Sequence, residues 1–233
     1  MKFKGKGIAI CATFAIPMCF FFACGKNKRD RFPPGISSDE VVERAARAWI
    51  HKPKGELTGD DLRRVTGLDL SGTPITDLTP LARMTEIQRL SLADCDGVRD
   101  ISPLKNLQKL RRLSLDGCLM SDIGALANLK ELTWLSMDQC HEIADLRPLA
   151  GLKQMKMLSV EDCPLVSDLG PLSGLTELDE IWLDGSLSVK DLSPLEPLDT
   201  LEYLNLTGCR QIQSIPPWLV ERERKTGLRV NGP

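Results

Sequence analysis

The chain is poor in the side chains that carry most chemistry. Among 233 residues it has two histidines, His51 and His141, and one tyrosine, and aromatics make up 5%. The histidines are far apart in the chain, so the paired-histidine motif of a zinc protease is missing, and no Cys/His set has the spacing of a tetrahedral zinc site. A nucleophile-elbow turn and a glycine-rich phosphate loop are also missing. No enzyme is therefore expected, and no cofactor or metal. Basic residues are scarce outside the amino terminus. Residues 1–31 hold seven Lys/Arg and one acid; the rest hold 23 basic and 31 acidic residues, a net of −8. Binding to a phosphate backbone needs clustered Lys/Arg, so nucleic acid is not an expected partner. With so few rings, the core has to be aliphatic.

What is present is repetition. Leu68, Leu90, Leu113, Leu135, Leu158, Ile181 and Leu204 follow one another at 22, 23, 22, 23, 23 and 23 residues. An apolar residue follows each two positions later: Leu70, Leu92, Leu115, Met137, Val160, Leu183, Leu206. The step of two implies a short strand, and the fixed period implies stacked units, a solenoid. The full unit reads Ile87-x-x-Leu90-x-Leu92-x-x-Cys95-x-x-Val98-x-Asp100-Ile101-x-Pro103-Leu104-x-x-Leu107. It resembles the leucine-rich repeat, L-x-x-L-x-L-x-x-C/N, and in its second half the short-repeat class of internalins and phosphatase-regulatory proteins. The resemblance implies an α/β solenoid of about seven 22–23-residue units, with parallel strands on the concave face.

Within the unit, Asp77, Asp100, Asp122, Asp145, Asp168 and Asp191 share one position, followed in five repeats by proline. A catalytic carboxylate would not occur six times, so these are expected to cap the backbone at each bend. Cys95, Cys118, Cys140, Cys163 and Cys209 also share a register, with Thr73 and Ser186 taking that place in the other two repeats. Cysteines at the repeat spacing suggest a buried, reduced ladder rather than a disulfide framework, although a pairing between neighbouring rungs stays open. A solenoid also needs closed ends. At residues 36–66, Ser37 with Glu40 forms a capping box, and Val41, Val42, Ala45, Ala46, Trp49 and Ile50 fall on one helical face. Pro53 ends that helix, a second short helix over about Thr58–Val65 follows, and the whole is similar to the N-terminal cap of internalin-like proteins. Repeats are expected over 67–217. A C-terminal cap at 218–233 would combine a polar helix, a stop at Gly227 and a last strand at Leu228–Val230.

Residues 1–23 have the form of a secretion signal: three early lysines, then the apolar run Ile8–Ala23, short of the ~20 residues of a full span. Its end, Phe21-Phe22-Ala23-Cys24, resembles a bacterial lipobox, with Phe21 where Leu is usual. The resemblance implies lipidation at Cys24, a basic tether over 24–35, and a lipid anchor in the bacterial cell envelope. Gly25, rather than Asp, after that cysteine resembles outer-membrane or surface sorting. An uncleaved signal anchor is the alternative, as is a cytosolic regulatory subunit if the leader is discounted.

In such a solenoid the residues flanking each Leu-x-Leu face outward on the concave side, in three columns. The first holds Gly67, Arg89, Arg112, Trp134, Met157, Glu180 and Tyr203; the second Asp69, Ser91, Ser114, Ser136, Ser159, Trp182 and Asn205. The third contains four consecutive acids, Asp116, Asp138, Glu161 and Asp184. Strands ~4.8 Å apart would stack these carboxylates with a repulsion of roughly 1 kcal/mol per neighbouring pair, from which folding gains nothing. The ladder therefore points to a basic segment of a partner protein, with a divalent cation or a plain solvated face as the other readings. Arg89, Arg112, Trp134, Trp182 and Tyr203 are the remaining candidate contacts; exposed aromatics suit protein interfaces and sugar stacking alike. The expectation is a monomeric, non-enzymatic binding module for a protein or glycan, against a structural envelope lipoprotein without a discrete ligand.

Overall fold

A computed structural model describes residues 32–233. The leader, Cys24 and most of the tether lie outside the described residues. Eight strands form one open, curved parallel sheet in strict sequence order. They are β1 (Gly67–Asp69), β2 (Arg89–Ser91), β3 (Arg112–Ser114), β4 (Trp134–Ser136), β5 (Met157–Ser159), β6 (Glu180–Trp182), β7 (Tyr203–Asn205) and β8 (Arg229–Asn231). Pairing is in register throughout: Leu68, Leu90, Leu113, Leu135, Leu158, Ile181, Leu204 and Val230 form one row. Each of the first six rungs returns through a short 3₁₀ helix, such as Ser102–Asn106, and neighbouring rungs stack on one another. This is the solenoid that the spacing implied, with the leucine-rich α/β architecture that the resemblance implied.

The core is a stack of aliphatic layers. Leu90, Leu92, Val98, Ile101, Leu104 and Leu107 of one rung are all buried, as are their counterparts in the next. A buried leucine side chain contributes roughly 1.5–3 kcal/mol, and no layer is complete without its neighbours. After each strand the chain reverses at Gly72, Asp94, Gly117, Gln139, Asp162, Gly185 and Gly208, all with φ between 51° and 76°. Four of the seven are glycine because that left-handed backbone crowds a Cβ.

The next residue in each rung is the Cys/Thr/Ser position. The thiols of Cys95, Cys118, Cys140, Cys163 and Cys209 donate to the carbonyls of Leu70, Leu92, Leu115, Met137 and Leu183 at 3.1–3.3 Å. The Ser186 hydroxyl does the same to Val160 at 2.9 Å. All five cysteines are free and buried, and burial pushes the thiols up, to about 12 at Cys118 and Cys163 and about 11 at Cys209. They should therefore resist alkylation in the folded protein. Iodoacetamide labelling mapped by mass spectrometry is expected to leave all five unmodified until denaturant is added; labelling of Cys140 in the native protein would refute this.

On the opposite side, Asp77, Asp100, Asp122, Asp145, Asp168 and Asp191 each accept the N–H of the residue two further on, at 2.7–2.9 Å. They hold the bends, as their sixfold recurrence implied. The amino end is closed by α1 (Ser38–Trp49), started by the Ser37/Glu40 capping box. Trp49 lies over Gly67, where an added Cβ would come within 2.6 Å of the ring. A second capping box, Thr58 with Asp61, starts α2 (Gly59–Arg63), and Lys52 Nζ pairs with Asp61 at 2.6 Å. The far end is closed by α3 (Pro217–Thr226), which stops at Gly227 in the left-handed region before β8. Among the described residues no helix is long and apolar enough to cross a membrane.

Candidate functional site

From β2 to β7 the first residue of each strand puts its side chain on the open face of the sheet, while Gly67 of β1 lies under Trp49. Arg89, Arg112, Trp134, Met157, Glu180 and Tyr203 stand there in one row, each partly exposed. Several are already engaged. The Arg89 guanidinium lies 5.5 Å from the centre of the Trp49 ring, so this residue braces the cap as well as facing outward. Trp182 and Tyr203 form a tilted pair, with ring centroids 4.4 Å apart and planes at 42°. Arg229 of β8 covers Tyr203 from the other side at 5.6 Å, and Asn231 Nδ2 donates to the Tyr203 hydroxyl at 2.7 Å. Trp182 Nε1 donates to Glu180 at 3.4 Å. Trp182 and Tyr203 are thus one aromatic platform, and Trp134 stands apart from it, two strands away from Trp182.

The second column differs from its sequence reading. Ser91, Ser114, Ser136 and Ser159 are only 3–6% exposed. The hydroxyls of Ser114, Ser136 and Ser159 serve the acids of the third column, which corrects the expectation that folding gains nothing from that ladder; the Ser91 hydroxyl bonds that of Ser71 at 2.5 Å. Asp116 accepts from Ser114 Oγ at 2.8 Å, from Ser136 Oγ, and from the backbone N–H of Asp138 at 3.0 Å. Asp138 accepts from Ser136 Oγ at 3.2 Å, from Ser159 Oγ, and from the N–H of Glu161 at 2.9 Å. Each of these two carboxylates therefore satisfies donors on its own rung and on the next, which offsets the repulsion between them.

The pattern breaks at Glu161. The residue that would supply its hydroxyl is Trp182, and Glu161 instead meets the carboxyl of Asp184, which itself accepts from Asn205 Nδ2 at 2.5 Å. Burial, then the charges of Asp138 and Asp184, push Glu161 up to about 8. Asp138 is also raised, mainly by burial. The ladder therefore carries less than its formal charge at neutral pH. Among the described residues no group of three or more His, Cys, Asp or Glu side chains is placed to hold a metal ion.

A fourth column was not singled out from the sequence. One position before each strand stand Gln88, Arg111, Thr133, Lys156, Asp179 and Glu202, and most are well exposed. The 22–23-residue period applied one place earlier would have found it. Arg111 pairs with Glu131 at 3.1 Å.

Fold and surface together define a leucine-rich repeat solenoid that presents an open strand face between two caps. Among known structures it is similar to internalins. The family model described as Leucine Rich Repeat matches residues 200–221. Internalin inlC2 from Listeria monocytogenes is similar at 26% identity and a TM-score of 0.68, over 85% of this chain and 95% of that one. Internalin inlF from the same organism is similar at 27% identity and a TM-score of 0.64, over 77% of this chain, which spans only 59% of inlF. A chain of the Drosophila Toll–Spatzle complex, 17% identical with a TM-score of 0.50 over 65% of this chain, shares the fold alone. No curated protein matches the chain.

Proposed function

We propose that this protein is a non-enzymatic, lipid-anchored binding module of the bacterial cell envelope that holds a protein ligand on its strand face. Leucine-rich repeat proteins generally mediate protein binding. The observation that carries the reading is the first column: one side chain per strand, including Trp134 and the Tyr203 ring that packs on Trp182, gathered on one open surface. Aromatic side chains of this kind anchor interfaces. The anchor is Cys24, behind the apolar run Ile8–Ala23. The alternative, a scaffold without a discrete ligand, draws support from the third column, whose Asp116 and Asp138 are occupied in holding the rungs together.

The two parts are tested separately. The Cys24→Ser chain is expected to lose labelled fatty acid and leave the membrane fraction; persistence there would favour an uncleaved signal anchor. For the ligand, the native chain and a Trp134→Ala/Trp182→Ala chain would be compared as baits in envelope extract, after thermal melts show both to be folded. A protein held by the first and lost from the second supports the module. Identical captures would overturn the assignment to this face.

A further inference from the structure

The carboxylate ladder is self-satisfied over most of its length and has no second feature that points to a ligand. The groove between Glu202 and Arg229 at the C-terminal cap is small and polar. The edge of β8 is three residues long. The amino-end side of the strand face, by contrast, has a charge order that the repeat architecture does not require. Over β2 and β3 it carries Arg89, Arg111 and Arg112; over β4 and β5 it carries Trp134 and Met157; over β6 and β7 it carries Asp179, Glu180 and Glu202. Only Lys156 interrupts the sequence basic, apolar, acidic. At the acidic end, burial and the neighbouring Glu180 raise Asp179, with Lys156 opposing them and Glu202 adding to them. A solenoid that needed only solubility would mix the two signs along a face.

Resting on the reading of the strand face as a protein-binding surface, we propose that its ligand is a polypeptide segment whose own charge runs acidic, apolar, basic, laid across the strands with its acidic end over β2–β3 and its basic end over β6–β7. Three inter-strand steps separate β3 from β6, ~14 Å at ~4.8 Å each, which an extended segment covers in about four residues. The basic end meets Asp179, Glu180 and Glu202 beside Trp182, whose partner ring Tyr203 is already covered by Arg229. The acidic end meets three guanidiniums, which suit carboxylates. A uniformly basic segment, the partner that the third column alone suggested, would instead set its charge against Arg111 and Arg112.

Fluorescence anisotropy on the full chain tests this with two labelled heptapeptides: two glutamates, three leucines and two lysines in that order, and a counterpart with lysines at both ends. The first is expected to bind at least fivefold more tightly, to weaken with added salt, and to lose roughly fivefold on either Arg112→Glu or Glu180→Lys, the scale of exposed charge pairs. The double variant Arg112→Glu/Glu180→Lys is expected to bind no better than either single variant, because Arg89 and Arg111 at one end and Asp179 and Glu202 at the other still set the original direction. Arg111→Glu replaces Arg112→Glu if the latter melts early. Equal or tighter binding of the all-basic peptide, no binding of either, or no loss on reversal at Arg112 and Arg111 would each overturn the charge order. If these probes fail while Trp134→Ala/Trp182→Ala still abolishes capture from extract, the binding surface stands and only its charge reading falls.

Discussion

Replacing Asp138 by alanine is expected to destabilise the protein by about 2–4 kcal/mol, since each buried donor left without a partner costs roughly 1–3 kcal/mol. Two donors lose their acceptor, Ser159 Oγ and the backbone N–H of Glu161, while the Ser136 hydroxyl keeps Asp116. Part of the loss is recovered because a half-solvated charge disappears, which is why the expected figure lies below the full sum. Asp138→Asn separates the two contributions. The amide keeps an acceptor oxygen for Ser159 and Glu161 while removing the charge that burial disfavours, and it is expected to cost less than about 1 kcal/mol or to stabilise. Asp145→Ala, at an exposed bend where the carboxylate accepts the N–H of Arg147, is expected to cost about 1 kcal/mol. Chemical denaturation of the three variants provides the test. If Asp138→Ala and Asp145→Ala are equally mild, the ladder is a solvated face after all.

Thermal stability should fall between pH 5.5 and pH 8.5, and Glu161 should account for most of the fall. Its ordinary value is 4.5 and in the fold it is about 8. A carboxyl raised in the folded state adds stability while it is protonated there: the contribution is fully present below about pH 4.5 and is lost as pH rises through about 8. The side chain is only half buried, and screening by solvent trims the contribution to about 1–2 kcal/mol. At about 2–4 °C per kcal/mol for a chain of this size, the melting temperature should drop by several degrees. Asp61, Glu221 and the bend residues Asp77, Asp100, Asp145 and Asp191 are shifted the other way, so they weaken the fold only in acid, below about pH 4. Glu161→Gln is expected to flatten most of the slope. A melting temperature that rises across this range, or a slope unchanged in Glu161→Gln, would contradict the assignment.

These two side chains mark the limit of what the sequence made legible. The row of Leu68 to Leu204 and the bend aspartates could be read directly, because both depend on spacing and local hydrogen bonding alone. The columns were also readable in register. Their burial was not, because a serine at the end of a strand is covered only when the next rung lies ~4.8 Å away with a carboxylate over it. Trp182 is visible in the sequence as the odd member of a serine column. That it deprives Glu161 of a donor emerges only once β5 and β6 are side by side. The same holds for Arg89 against Trp49 and Arg229 against Tyr203, where residues 40 and 26 positions apart meet across elements. The charge order of the strand face was hidden for a simpler reason: half of it sits one place before the strand, outside the leucine pattern.

The lateral side-chain bonds between rungs run mostly one way. Each cysteine thiol donates to a carbonyl of the rung before it, the Ser136 and Ser159 hydroxyls reach back to Asp116 and Asp138, and the N–H groups of Asp138 and Glu161 do likewise. A chain made from its amino end therefore meets its acceptors already laid down. The helical cap is synthesised first and offers a finished apolar wall, and each rung leaving the ribosome brings the donors that the waiting carbonyls and carboxylates lack. Each completed turn can thus serve as the template for the next.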